Sequence, residues 1–324
     1  MAHELDFTTG KAAMAYVGDK PWHGLGQKMA IGQPIEVWQK AAGMDFQIMD
    51  ADVHFTTGFG PSSVPSKKVL YRSDSGDALA VVGKGYQVVQ PSEVLEFYRD
   101  LTEQAGFTLE TAGVLKKGKK YWALASMGEE AKVMDDTIKG YLLLGTACDG
   151  SMATTAMFTS IRVVCNNTLG FAMNEAESGQ SKNVIRIPHR SQFNEVKVKA
   201  QLGIAAMSWQ NFMTSVDVWV HTSVTSDQAR EYFNTVSTYS NTQGDKIISH
   251  RTSDKLMELF TGAGMGSNLK SASGTAWGLV NAVTEYVDHH RGRTDDVRID
   301  RAWFGDGLAT KELATNLAND LVLA

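Results

Sequence analysis

Hydrophobic and polar positions follow two different periods along the chain, and the change falls near Pro188. Before it, short apolar runs alternate with polar residues and are separated by turn residues, the pattern of half-buried strands. The segment from Phe46 to Phe55 alternates in part. Val69–Arg72 and Leu79–Val82 flank Ser73-Asp74-Ser75-Gly76-Asp77, a hairpin signal. Phe107-Thr108-Leu109 and Tyr121–Ala125 are two more apolar runs, on either side of a basic turn. Leu142-Leu143-Leu144 reads as a buried central strand, and Met152 to Val163 alternates again. Gly58 to Ser66, with Pro61 and Pro65, reads as a polar loop.

Helical spacing is rarer in this half. Pro34 fits a first helical turn ahead of Ile35, Val37, Trp38 and Ala41, and Gly43 stops that helix. Pro91-Ser92-Glu93 opens another, with Val94, Leu95, Tyr98, Leu101 and Ala105 on one face and Gly106 as its stop. Cys165, Leu169 and Ala172 mark a further amphipathic helix. From residue 191 onward the spacing is helical. Trp277, Val280, Val283 and Val287 form one stripe, and Leu313, Leu317 and Leu321 another. The expected fold class is α+β, with a largely antiparallel sheet-rich region over 1–190 and a helical region over 191–324 packed on it. Nearly all strands are expected before residue 190.

Composition narrows the class without naming a function. The 324 residues are 43% hydrophobic and 21% charged, which suits a folded protein and excludes wholesale disorder. No apolar run is long enough to span a membrane, and the first residues put acid where a signal peptide needs base, so the expected compartment is the cytoplasm. The two cysteines, Cys148 and Cys165, are expected to be free thiols rather than a disulfide framework or a metal site. The net charge of −5 hides an uneven distribution. Residues 1–112 carry nine Lys/Arg against fourteen Asp/Glu, 113–200 twelve against eight, and 201–324 ten against fourteen. The middle of the chain is thus a basic island, and local basic surface matters more to a polyanion than the total does.

That island contains Lys116-Lys117-Gly118-Lys119-Lys120, followed by Tyr121-Trp122. Lysines take phosphates and an aromatic ring stacks on bases, so this pattern suits single-stranded nucleic acid. The candidate contact is Lys116, Lys117, Lys119, Lys120 and Trp122, joined by Arg162, Lys182, Arg186 and Arg190. The competing reading is a solubilising hairpin tip with Tyr121 and Trp122 in the core. Ser160 or a neighbour is a candidate cap that leaves free backbone donors near Arg162. Glu285, Asp288 and His289 stand at i, i+3 and i+4, a spacing that offers oxygen and nitrogen donors to a divalent metal. Neither a Walker-type loop nor a hydrolase elbow is present, and nothing here calls for a cofactor or names a catalytic residue.

Several segments together carry a resemblance: Met14–Gly18, Pro21–Gly26, Val81-Val82-Gly83 with Tyr86 and Gln90, Asp149-Gly150-Ser151, Arg162–Leu169 and Asn281–His289. The chain resembles the phage/plasmid-like protein family built on domain of unknown function 932. Where that family often has His before Asp-Gly-Ser, this chain has Cys148. The resemblance implies a phage, prophage or plasmid gene, a setting in which replication, recombination and counter-defence functions are common.

Three classes of function follow, in this order. The first is a nucleic-acid-binding protein, with single-stranded DNA as the expected partner in annealing, recombination or replication. The second is a metal-dependent enzyme using Glu285, Asp288 and His289. The third is a protein-binding factor such as a host-defence inhibitor. No membrane partner is expected, and the protein is open to homo-oligomerisation.

Overall fold

The computed structural model describes residues 5–8, 10–18, 25–162, 167–170, 184–196, 198, 206–291, 301–303 and 305–323. The fold is mixed α and β, with antiparallel sheets in the first half of the chain and helices in the second. After residue 200 the only described strands are a three-residue pair, Thr238–Ser240 and Lys246–Ile248. Two compact units divide the chain. One takes residues 1–128, 141–157 and 185–201, and the other takes 129–140, 158–184 and 202–324.

The main sheet contains β1 (Met14–Tyr16), β2 (Gln27–Lys28), β6 (Thr108–Leu115), β7 (Lys120–Val133), β8 (Asp136–Ala147), β9 (Thr154–Arg162) and β10 (Asn167–Gly170). Its order is β10-β9-β8-β7-β6-β1-β2, and β11 (Val184–Ile187) also pairs with β9. In the first unit β6 and β7 pair antiparallel from Thr108↔Ser126 to Leu115↔Lys120. A second sheet has the order β3-β4-β5, from Ile48–Thr57, Gly60–Arg72 and Ala78–Gly83. The stretch read as a polar loop, Gly58 to Ser66, is mostly strand β4. Pro61 and Pro65 are tolerated there because this part of the ribbon pairs on one side only.

Helix α1 (Ile35–Ala41) ends as the sequence suggests, with Gly43 at φ +67°, where a Cβ would collide with Ala13. The single helix expected from Pro91 is two short ones, α2 (Pro91–Glu96) and α3 (Arg99–Gln104). The break lets the buried Tyr98 hydroxyl reach the carbonyl oxygens of Ala123 (2.8 Å) and Leu142 (3.0 Å) in neighbouring strands. The helix expected around Leu169 is overturned too. Residues 167–170 are strand β10, with Leu169 opposite Ser160. Ser160 therefore lies inside β9 and caps no helix.

The second unit is built on α4 (Ala206–His221), α5 (Ser226–Val236), α6 (His250–Glu258), α7 (Ala276–Glu285) and α8 (Asp306–Leu323). Trp219 stacks on Trp277 at 6.1 Å with Phe212 at the edge of both. Each indole N–H is satisfied, Trp219 by Asn319 and Trp277 by Asp136, both at 3.1 Å. Gly278 lies so close to the Ala272 carbonyl that any side chain would collide with it. The buried stripe of α8 is Leu308, Lys311, Ala314 and Ala318, not the Leu313, Leu317 and Leu321 that apolarity suggested. Small residues and a paired lysine allow closer approach than three leucines would.

Candidate nucleic-acid interface

The basic turn joins β6 to β7, and its backbone is unusual. Lys116, Lys117 and Gly118 have φ of +53°, +58° and +96°. Two successive lysines in left-handed conformation are costly, and such outliers persist only where the surroundings impose them. Gly118 provides the anchor. It is buried, and a Cβ there would sit 2.9 Å from Nη1 of Arg72 and 3.2 Å from its Cδ.

Arg72 is the centre of a buried ionic cluster in the first unit. Its Nη1 donates to Asp6 Oδ2 at 2.5 Å. Its Nε and Nη2 grip Asp74 bidentately at 2.9 and 2.7 Å. Its guanidinium lies 3.9 Å from the centre of the Phe46 ring. Burial works against the charge, but hydrogen bonds to Asp74 and Asp6 outweigh it and raise the pKa above arginine's ordinary value. The same bond to Arg72 holds Asp74 below its ordinary value.

One further loop is tied to the turn, and that loop is itself tied to His189. Cys148 N donates to Lys119 O at 2.8 Å, which fixes the start of the Asp149-Gly150-Ser151 loop beside the lysines. The Cys148 thiol is free and buried, and burial pushes its pKa up to about 12, so it is no nucleophile at neutral pH. On the far side of that loop, Met152 O lies 3.1 Å from Nε2 of His189, whose Nδ1 is 3.0 Å from Gln87 O. His189 stacks on Tyr86 at 4.6 Å, and the Tyr86 hydroxyl donates to Ala147 O at 3.0 Å.

The residues singled out from sequence separate into groups. Lys117 is exposed and Lys116 and Lys119 are half-buried in the turn. Arg186 on β11 and Arg190, next to His189, are exposed. Lys120 is only 5% exposed, and Trp122 is fully buried with its ring filling the space that Gly113 leaves opposite. Neither side chain offers a surface to a base or a phosphate here, so both leave the candidate contact. Arg162 ends β9, and its side chain, like Lys182 and Cys165, lies outside the described residues. Sequence reasoning missed Asp6, Phe46, Arg72, Asp74 and His189. A basic residue two positions before Asp74 was visible, but nothing local joined it to Asp6.

Glu285, Asp288 and His289 do not converge. A π-helical turn over Tyr286–His290 breaks the i, i+3, i+4 relation. Asp288 is held by buried Lys311, while Glu285 accepts from Met265 N at 2.9 Å and lies 3.6 Å from Nε2 of His290. Among the described residues no three His, Cys, Asp or Glu side chains are grouped to hold a metal ion. None of the described helices is long and apolar enough to cross a membrane.

The family model for a domain of unknown function (DUF932) matches residues 78–303. No curated protein and no solved structure matches the chain.

Proposed function

The chain belongs to the DUF932 family, and from that premise we propose that it binds single-stranded nucleic acid, with Lys116, Lys117 and Lys119 at the centre of the contact. The observation that carries this reading is the turn itself. Lys116 and Lys117 stand in a left-handed backbone, and Gly118 after them is seated on the buried Arg72 cluster. A solubilising tip has no need of such support, whereas cations fixed in space suit a row of phosphates. Exposed Arg186 and Arg190 add two more cations to the same unit. The proposed setting is the cytoplasm, in annealing, recombination or replication of a phage or plasmid, with single-stranded DNA as ligand.

The test is affinity for an unstructured DNA oligonucleotide across salt. Replacing Lys116, Lys117 and Lys119 together by Ala should weaken binding to all sequences. It should also flatten the log–log salt slope by about two units, at about 0.7 per phosphate contact. Unchanged affinity and slope in a folded variant overturn the proposal. Trp122→Ala should act on stability, by about 3–5 kcal/mol, because its ring is core.

A further inference from the structure

Strands β3 and β4 run on past the third strand of their sheet, since β5 pairs with β4 only from Tyr71 to Lys67. Beyond that point a bare two-stranded ribbon projects to a tip at Phe59, which is fully exposed. Phe55, Met49 and Val81 are also exposed, at 45%, 41% and 58%. A two-stranded ribbon with no layer behind it is marginal in water. Residues 53–66 contain no Lys, Arg, Asp or Glu, so the ribbon holds no cation for a polyanion. Beyond Asp52 the ribbon can therefore meet a second copy of itself without charge repulsion.

We propose that this ribbon is a self-association arm, in which β3 pairs antiparallel with β3 of a second copy about a two-fold axis. The edge is identified by backbone chemistry. On β4, Pro61 and Pro65 remove donors. On β3 there is no proline, and Gln90 shows which way the groups point. Its side chain accepts from Ile48 N at 2.8 Å and donates to Ile48 O at 3.0 Å. Alternation then puts the N–H and C=O of Asp50, Asp52, His54 and Thr56 on that same outer edge. The irregularity near Val53 lies in β4, so β3 keeps its alternation. Among the described residues no strand covers this edge, and open edges of such length are normally covered.

Charge selects the register. Centring on Ala51 or Asp52 sets carboxylate against carboxylate. Centring on Val53 sets Asp52 opposite His54 of the second copy and Asp50 opposite its Thr56, with Ala51 beside its Phe55.

Sedimentation equilibrium of the nucleic-acid-free full chain at tens of micromolar should give twice the mass of one chain. Phe55→Asp should raise the dimer dissociation constant at least about tenfold. In Val53→Cys the new thiols face each other across the axis at a non-hydrogen-bonded pair, where Cβ atoms are closest. Mild oxidation should therefore give a disulfide-linked dimer, while Phe59→Cys at the tip should not. The cysteine pair also decides the matter if Phe55→Asp fails to fold. A monomeric wild type, or cross-linking of Phe59→Cys as fast as Val53→Cys, overturns the proposal. So does a monomer whose DNA affinity falls with Phe55→Asp, which would give the arm to nucleic acid.

Discussion

Each unit holds a cation sealed almost completely from solvent, and these two are held in different ways. Arg72 in the first unit and Lys311 in the second are both 1% exposed at the side chain. Arg72 spreads its charge over two carboxylates, Asp6 and Asp74, and an aromatic face, and its pKa is raised despite burial. Lys311 meets Asp288, yet burial wins and its pKa falls below the ordinary 10.5. The planar fork of arginine matches several acceptors at once, whereas an ammonium can shed its proton when its surroundings are too dry. The first cation is a permanent charge on which the Lys116–Gly118 turn is seated. The second fastens α8 beside the turn that follows α7.

The sharpest way to break this comparison is to remove one carboxylate from each. Asp6→Ala leaves Arg72 charged and partly unpaired in the core and should cost about 3–5 kcal/mol. Asp288→Ala leaves a lysine that can discharge by losing a proton, so its cost at neutral pH should be smaller. Urea titration of both variants measures the difference. Equal losses would mean that the two sites are handled alike.

Stability against pH separates them next. With the folded pKa of Lys311 depressed, the unfolded chain holds more protons between that value and 10.5. Stability should therefore rise with pH across this window, and Lys311→Met should abolish the rise. Arg72 adds no slope there, because its folded value is raised above an ordinary value that already lies beyond this window. Its mark is at the acid end. The carboxyl of Asp74 lies below its ordinary 3.8, so its stabilisation is present above 3.8 and is lost as pH falls through the folded value. Melting temperatures of wild type, Lys311→Met and Asp74→Asn across pH check both ends.

Neither buried cation was legible in the sequence, although much around them was. Periodicity located β5, α1 and the start of α2, where ordinary apolar residues are buried on one side, and it located α7, whose apolar stripe shows although the helix is buried all round. It failed where burial was polar or pairing was distant. Lys311 sits on the buried stripe of α8, so the leucines looked like the inner face when they were not. Arg72 stands beside a turn rich in Asp and Ser, which reads as solvated, and its partner Asp6 lies 66 positions away. Trp122 was read with the lysines because it follows them. Its burial depends on Gly113, the cross-strand neighbour that leaves it room. The basic turn itself was visible as composition, but its left-handed backbone and its seat on Arg72 are products of tertiary contact.

The smallest effect tests that seat. Gly118→Ala adds a methyl group at φ +96° and 2.9 Å from Nη1 of Arg72, so it should destabilise by about 1–3 kcal/mol. Lys117→Gly should act in the opposite direction. It relieves a left-handed lysine at φ +58°, a gain of about 1–2 kcal/mol, against about 0.4–1 kcal/mol of added freedom in the unfolded chain. The net should be a slight stabilisation, read as a higher denaturation midpoint. If the turn carries phosphates, the same change should remove about 0.7 from the salt slope for single strands. A variant that becomes more stable while binding less would show that the strain at Lys117 is kept for the contact it makes. One that loses stability would show that the lysine side chain, not the Arg72 cluster beneath it, holds the turn in place.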